Sequence, residues 1–125
     1  MKTSELTGPA LDWAVAKAEG LKTDIPSWAD TPWVRCTDPS GVQYVCPEFS
    51  TNWSRGGPII ERELICVDAG DGSYAPLRKW AAWCADNAPV KAAAEYHGPT
   101  PLIAAMRCYV ASKLGDEVDV PKELL

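Results

Sequence analysis

The sequence predicts an α+β fold: a small antiparallel β-sheet with N-terminal and C-terminal helices packed on it, in one domain spanning residues 1–125. Three observations predict it. Each end of the chain carries a helical pattern with its own start and stop residues, Thr7 to Gly20 and Thr100 to Gly115. Between them, two β-rich runs flank the turn Asp38-Pro-Ser-Gly41. Finally, 11 Pro and 9 Gly imply many turns and short elements.

Residues 4–19 read as the first helix, because Leu11, Ala14, Val15 and Ala18 recur on one face at helical spacing. Thr7 suits an N-cap, Pro9 the first turn and Gly20 the stop. Pro26 and Pro32 make residues 21–32 a connector, extended before each proline. Trp33–Thr37 and Val42–Cys46 then form a hairpin, with Pro and Gly at the second and fourth places of its turn. Pro47 to Pro58 read as a long loop around Phe49 and Trp53. Ile59 to Asp68 carry both periods, and the reading favours a short turn followed by a strand that pairs with the hairpin. Residues 77–87 read as a second helix, from Leu77, Trp80, Ala81 and Cys84 on one face, and residues 90–96 continue helically on propensity. Thr100 as N-cap, Pro101 at the first helical position and Gly115 as stop define the clearest element, a helix through the core. Glu117–Pro121 alternate polar and apolar and fit an edge strand.

Composition narrows the function classes. A formal charge of −5 argues against binding bulk nucleic acid, which requires clustered Lys and Arg. A local basic pocket for one small anion remains compatible with it. No apolar run approaches a membrane span, and Met-Lys-Thr-Ser-Glu-Leu has no apolar signal core, so the expectation is a cytosolic protein. The five cysteines are odd in number, contain no Cys-x-x-Cys and accompany a single His97. They read as buried thiols serving as small hydrophobes, with no zinc site and no cofactor expected.

The chemistry concentrates in TNWSRGGPIIERE, residues 51–63. As a loop, Gly56-Gly57 would permit positive φ and expose amides to an anion. Arg55 would add a fork of donors and Trp53 a stacking face, with Asn52 and Glu61 beside them. This cluster suits a small nucleotide-type ligand, although Trp53 taken alone fits slightly better as an anchor that pins a long loop to the core. Glu61-Arg62-Glu63 resembles a paired-carboxylate motif, but no further acid stands at a metal-binding spacing, so a solvated face with Arg62 in salt bridges is preferred. The opposite wall of a site would come from His97, the amides and Thr100 hydroxyl at the last helix start, and Arg107 two turns in. No residue carries a nucleophile, P-loop or dinucleotide signature. Trp80 and Trp83, one helical turn apart, and the alanines of the first helix favour a homo-oligomer.

Three stretches together carry a resemblance: LTGPALDWAVAKAEG from Leu6, NWSRGGPIIERE from Asn52 and GPTPLIAAMRCYVASKLG from Gly98. They resemble the NinX-like proteins of bacteriophages and prophages, and the likeness covers nearly the full chain. It implies a small accessory phage protein in the cytoplasm of an infected bacterium, without an agreed activity. Family members often show an aspartate where this chain has Asn52, and residues between Val67 and Tyr96 are the least typical. Three functions stay open: a non-catalytic protein that captures a nucleotide-type ligand, which in a phage would suit sequestering a host defence signal; an interaction module that blocks a host factor; and a small nucleotide-acting enzyme using His97 and Glu61.

Overall fold

A computed structural model describes residues 1–69, 80–84 and 95–125. Helix α1 (Gly8–Ala18) opens from Thr7, whose extended backbone ends the preceding segment, and stops before Gly20 at φ +83°. It buries Ala10, Leu11, Trp13, Ala14, Val15 and Ala16. Strands β1 (Lys22–Asp24), β2 (Arg35–Thr37) and β3 (Gln43–Val45) form one antiparallel sheet in the order β1-β2-β3. The hairpin β2–β3 is the one expected from the sequence. Its turn is built by the Asp38 carboxylate, which accepts from Ser40 N, Ser40 Oγ and Val42 N. These bonds hold its pKa below the usual carboxylate range, the Ser40 side chain contributing most.

A second antiparallel sheet, which the sequence did not announce, has the order β4-β5-β6, from Ile65–Asp68, Trp80–Cys84 and Tyr96–Gly98. Two expectations are corrected by it. The strand after residue 64 pairs with β5, Val67 facing Ala82, and not with the hairpin. Trp80–Cys84 is the central strand and not part of a helix; the remainder of that expected helix, 77–79 and 85–87, and residues 90–94 lie outside the described residues. The small side chains Ala81 and Ala82 are buried where this strand meets the last helix. Ladder pairing on both edges overrides the helical preference of alanine.

Helix α3 (Pro101–Leu114) runs through the core as expected. Thr100 Oγ1 accepts from Ile103 N, Pro101 begins the helix, and Gly115 stops it at φ +94°. Buried positions run without a break from Ala104 to Val110, the pattern of a helix enclosed on all sides. It packs on α1, on the second sheet and on helix α2 (Trp53–Glu63). Leu6, Leu11, Ile59, Leu102, Met106, Tyr109 and Val110 are fully buried and join these elements in one hydrophobic cluster.

The tail does not extend a sheet. Glu117 forms an isolated bridge with Lys2, Val118 N donates to Met1 O, and Thr3 Oγ1 donates to Gly115 O. The described helices include none long and apolar enough to cross a membrane.

Candidate functional site

The central segment is a helix where the sequence predicted a loop. Asn52 caps α2, its Oδ1 accepting from Ser54 N at 3.0 Å and Ser54 Oγ at 2.6 Å. Arg55 N and Gly56 N both donate to Asn52 O, so these amides are committed to the first turn. Neither Gly56 nor Gly57 has positive φ. Gly56 is required by contact instead: a Cβ there would lie 2.5 Å from Phe49 O and 2.6 Å from Leu102 Cδ1. That contact is where the central segment meets the start of α3, through packing and not across a pocket. The expected amide cradle at Gly56-Gly57 is therefore corrected to a close helix crossing. Pro58 sits inside the helix, and Leu64 ends it in the left-handed region at φ 53°, turning the chain straight into β4.

Helical geometry also separates residues that a loop would have kept together. Positions two apart on a helix point away from one another, while positions seven apart share a face. Trp53 stands at the start of α2, 54% exposed, with Gly57 beside its ring. Arg55 points elsewhere, towards Arg62, and the two line one basin of about 380 Å³. Leu21, Pro47 and Phe49 supply its apolar surface, Tyr44 and Glu19 its further polar groups. Glu61 is exposed on the helix, and Glu61 and Glu63 share no face.

The two guanidinium groups of the basin differ in their freedom. Arg62 is bound: Nη1 and Nη2 donate to Glu19 at 3.2 and 2.6 Å, Nε donates to Glu63 at 2.9 Å, and its plane lies over the Tyr109 ring. The bond to Glu19 raises its pKa most, with Glu63 adding to it. Arg62 in turn holds Glu63 below the ordinary carboxylate range. Tyr109 donates to Glu19 at 2.6 Å, and burial first, then that bond, pushes its phenol up. This network ties the ends of α1 and α2 to α3, and Lys113 extends it to Glu63 at 3.4 Å. The Arg55 guanidinium, in contrast, makes no hydrogen bond or ion pair among the described residues. Its charge reaches Tyr44, whose pKa is raised mainly by burial and lowered slightly by Arg55.

The expected opposite wall is occupied by structural bonds. Thr100 spends its hydroxyl on the Ile103 amide. Arg107 is buried, its Nε donating to Leu6 O at 2.8 Å and Nη1 to His97 O at 2.7 Å, and burial lowers its pKa. It joins the segment before α1 to β6 and reaches no acidic partner among the described residues. His97 lies in β6 with Nε2 3.2 Å from Glu95. Trp80 and Trp83, three apart in a strand, fall on opposite faces of the sheet and do not form the shared helical face first read from them. Sequence reasoning missed Glu19, Tyr44 and Phe49 as neighbours of Arg55. The one signal available was the seven-residue spacing of Arg55 and Arg62, which counts only once the segment is helical.

Residues 2–113 match the family model described as Bacteriophage P22, NinX. The chain belongs to this NinX family. No curated protein matches it. The match spans every element that builds the Arg55 basin, from the end of α1 to α2, so the basin is part of the NinX-family region of the chain. The N-terminal pairing partners at 115–118 lie just past the matched residues.

Proposed function

We propose that this NinX-family protein captures a small nucleotide-type anion at Arg55 without transforming it, as a phage accessory protein that sequesters a host defence signal in the bacterial cytoplasm. One observation carries the reading: Arg55 keeps its guanidinium uncommitted at the rim of a basin of about 380 Å³. A phosphate would meet its fork of donors. Phe49, Leu21 and Pro47 offer apolar surface to a base or sugar, and the Tyr44 hydroxyl and Glu19 carboxylate offer hydrogen-bond partners. Binding without chemistry is supported by the lining of the basin, which among the described residues holds no Ser, Thr, Cys or His. Asn52, Trp53, Gly57 and Glu61 stand outside the lining of the basin, while Gly56, Thr100, Arg107 and His97 support the frame.

The test is a thermal-shift panel of cyclic dinucleotides and ADP-ribose-type nucleotides, followed by denaturation and recovery of the ligand. Capture predicts a rise in melting temperature and intact ligand on release. Arg55→Ala is expected to weaken binding by about tenfold or more while the melting temperature of the free protein barely moves. Altered product would favour the enzyme, and no shift across the panel would end the nucleotide reading.

A second reading, an interaction module that blocks a host factor or joins copies of the chain, has its own observation. Trp28 is 72% exposed and meets Trp33 edge-on at 6.0 Å, with Val42 and Val45 also exposed. Capture of a host protein that Trp28→Ala abolishes would favour this second reading.

A further inference from the structure

The segment from Cys46 to Thr51 is a partition between two clefts. Pro47 and Phe49 face the Arg55 basin, whereas Cys46, Glu48, Ser50 and Thr51 line a second cleft of about 400 Å³. This second cleft opens between the start of α1, the Trp33-Val34 pair and Val45. Its charge is opposite to that of the basin. Asp12 and Glu48 line it, and among the described residues no Lys or Arg does.

Asp12 is held in place from beneath, its Oδ1 accepting from Ser50 N at 2.8 Å. Burial raises its pKa; Ser50 offsets part of this, and the like charge of Glu48 adds to the rise. Ser50 is 1% exposed, and its hydroxyl makes no hydrogen bond: it lies near enough to Asp12 to act on the carboxylate, but outside hydrogen-bond geometry. A buried hydroxyl without a partner is an uncommon and costly feature. Here it sits beside the Asp12 carboxylate, in a cleft whose facing wall of Pro32, Trp33, Val34 and Val45 is apolar and aromatic.

We propose that this cleft binds an organic cation with an apolar stem, its ammonium or guanidinium head held by Asp12, Glu48 and the Ser50 hydroxyl, its stem lying along Val34 and Val45 beside the Trp33 indole. The head group supplies the proton donors that the carboxylates and the hydroxyl accept. An indole wall adds cation–π attraction, and long cationic side chains are themselves built as an apolar stem with a charged head. The formal charge of −5 draws cations to the surface. The site is separate from the Arg55 basin, and the inference does not depend on what that basin holds. A free alkylamine and a lysine side chain presented by another protein share this chemistry.

The experiment titrates the protein with n-butylammonium, with N-acetyl-lysine-N-methylamide and with uncharged n-butanol, following the Trp33 indole N–H resonance, assigned through Trp33→Phe. A saturable shift with butylammonium and none with butanol is expected. If the lysine amide binds as well, the occupant is a protein side chain; if butylammonium alone binds, it is a free amine. Asp12→Asn retains an acceptor for Ser50 N and is expected to weaken the cation about tenfold or more. Glu48→Gln, at an exposed position, is expected to weaken it several-fold and serves if the Asp12 variant does not fold. Butanol binding as tightly as butylammonium, full affinity in the folded Asp12→Asn protein or in Glu48→Gln, or no shift with either cation would overturn the proposal.

Discussion

At the residue scale, adjacent glycines do different work. Gly56 is pressed against a backbone carbonyl and the Leu102 side chain, while a Cβ at Gly57 would meet only the Trp53 ring at 3.8 Å. Gly56→Ala is therefore expected to cost about 1–3 kcal/mol, because the rigid Phe49 carbonyl must shift to admit the methyl group. Gly57→Ala is expected to be neutral or to gain up to about 1 kcal/mol, since alanine suits a helix interior better than glycine. Paired thermal melts of the two variants check this, with about 3–6 °C expected per kcal/mol. Equal losses would return the pair to the role of a flexible turn. The sequence displayed the two glycines but not their difference, which is set by what lies across the helix crossing. Arg107 was similarly visible as a candidate, but its partners are backbone carbonyls of Leu6 and His97, which have no sequence signature.

At the scale of elements, legibility followed local signals. The last helix was readable because Thr100, Pro101 and Gly115 each act within a turn of themselves, and the β2–β3 hairpin because Asp38 and Gly41 build its turn locally. Helix α2 was not readable, since Gly-Gly-Pro at its centre is the usual mark of a loop. It persists because Asn52 caps it and Ile59 is buried against the core. Strand β5 was hidden for the opposite reason, its alanines favouring a helix until strands on both sides claim its backbone. Pro58 marks the cost within α2: it offers no N–H to the carbonyl of Ser54 and crowds it. Pro58→Ala is accordingly expected to stabilise the protein by about 1–2 kcal/mol, the gain in the helix exceeding the added freedom of the unfolded chain. Amide exchange across residues 53–63 should slow in the variant; unchanged exchange and melting would mean that the core, not the helix backbone, sets the stability of α2.

At the scale of the whole molecule, the titrating carboxylates give folding a pH dependence of known sign. Asp24, bonded to Arg35, Asp38 in its turn, and Glu63, bonded to Arg62, all have lowered pKa values. Their contributions are present above the ordinary values of 3.8 and 4.5 and are lost as pH falls through the lowered ones. Asp12 acts in the other direction: its raised pKa favours the folded state below 3.8, and that advantage is lost as pH rises from there through the raised value. Melts from pH ~2 to ~7 are thus expected to show a steep acid loss, and Asp12→Asn to steepen it by removing the opposing term. A variant with an unchanged profile would show Asp12 to titrate alike in both states. Membership of the NinX family covers nearly all of this frame and leaves the occupants of its two clefts to the experiments above. The pairing of Met1 with Val118 has a consequence in time rather than in energy. The two residues are 117 apart in the chain, so among the hydrogen bonds of the described residues theirs closes the longest loop. Loop closure becomes less favourable as the loop lengthens, and contacts between distant residues slow folding. The short bridge between the two ends is thus expected to lock late, after α3 has gathered the sheets, and pulse-labelled amide exchange at Thr3 and Val118 would show it.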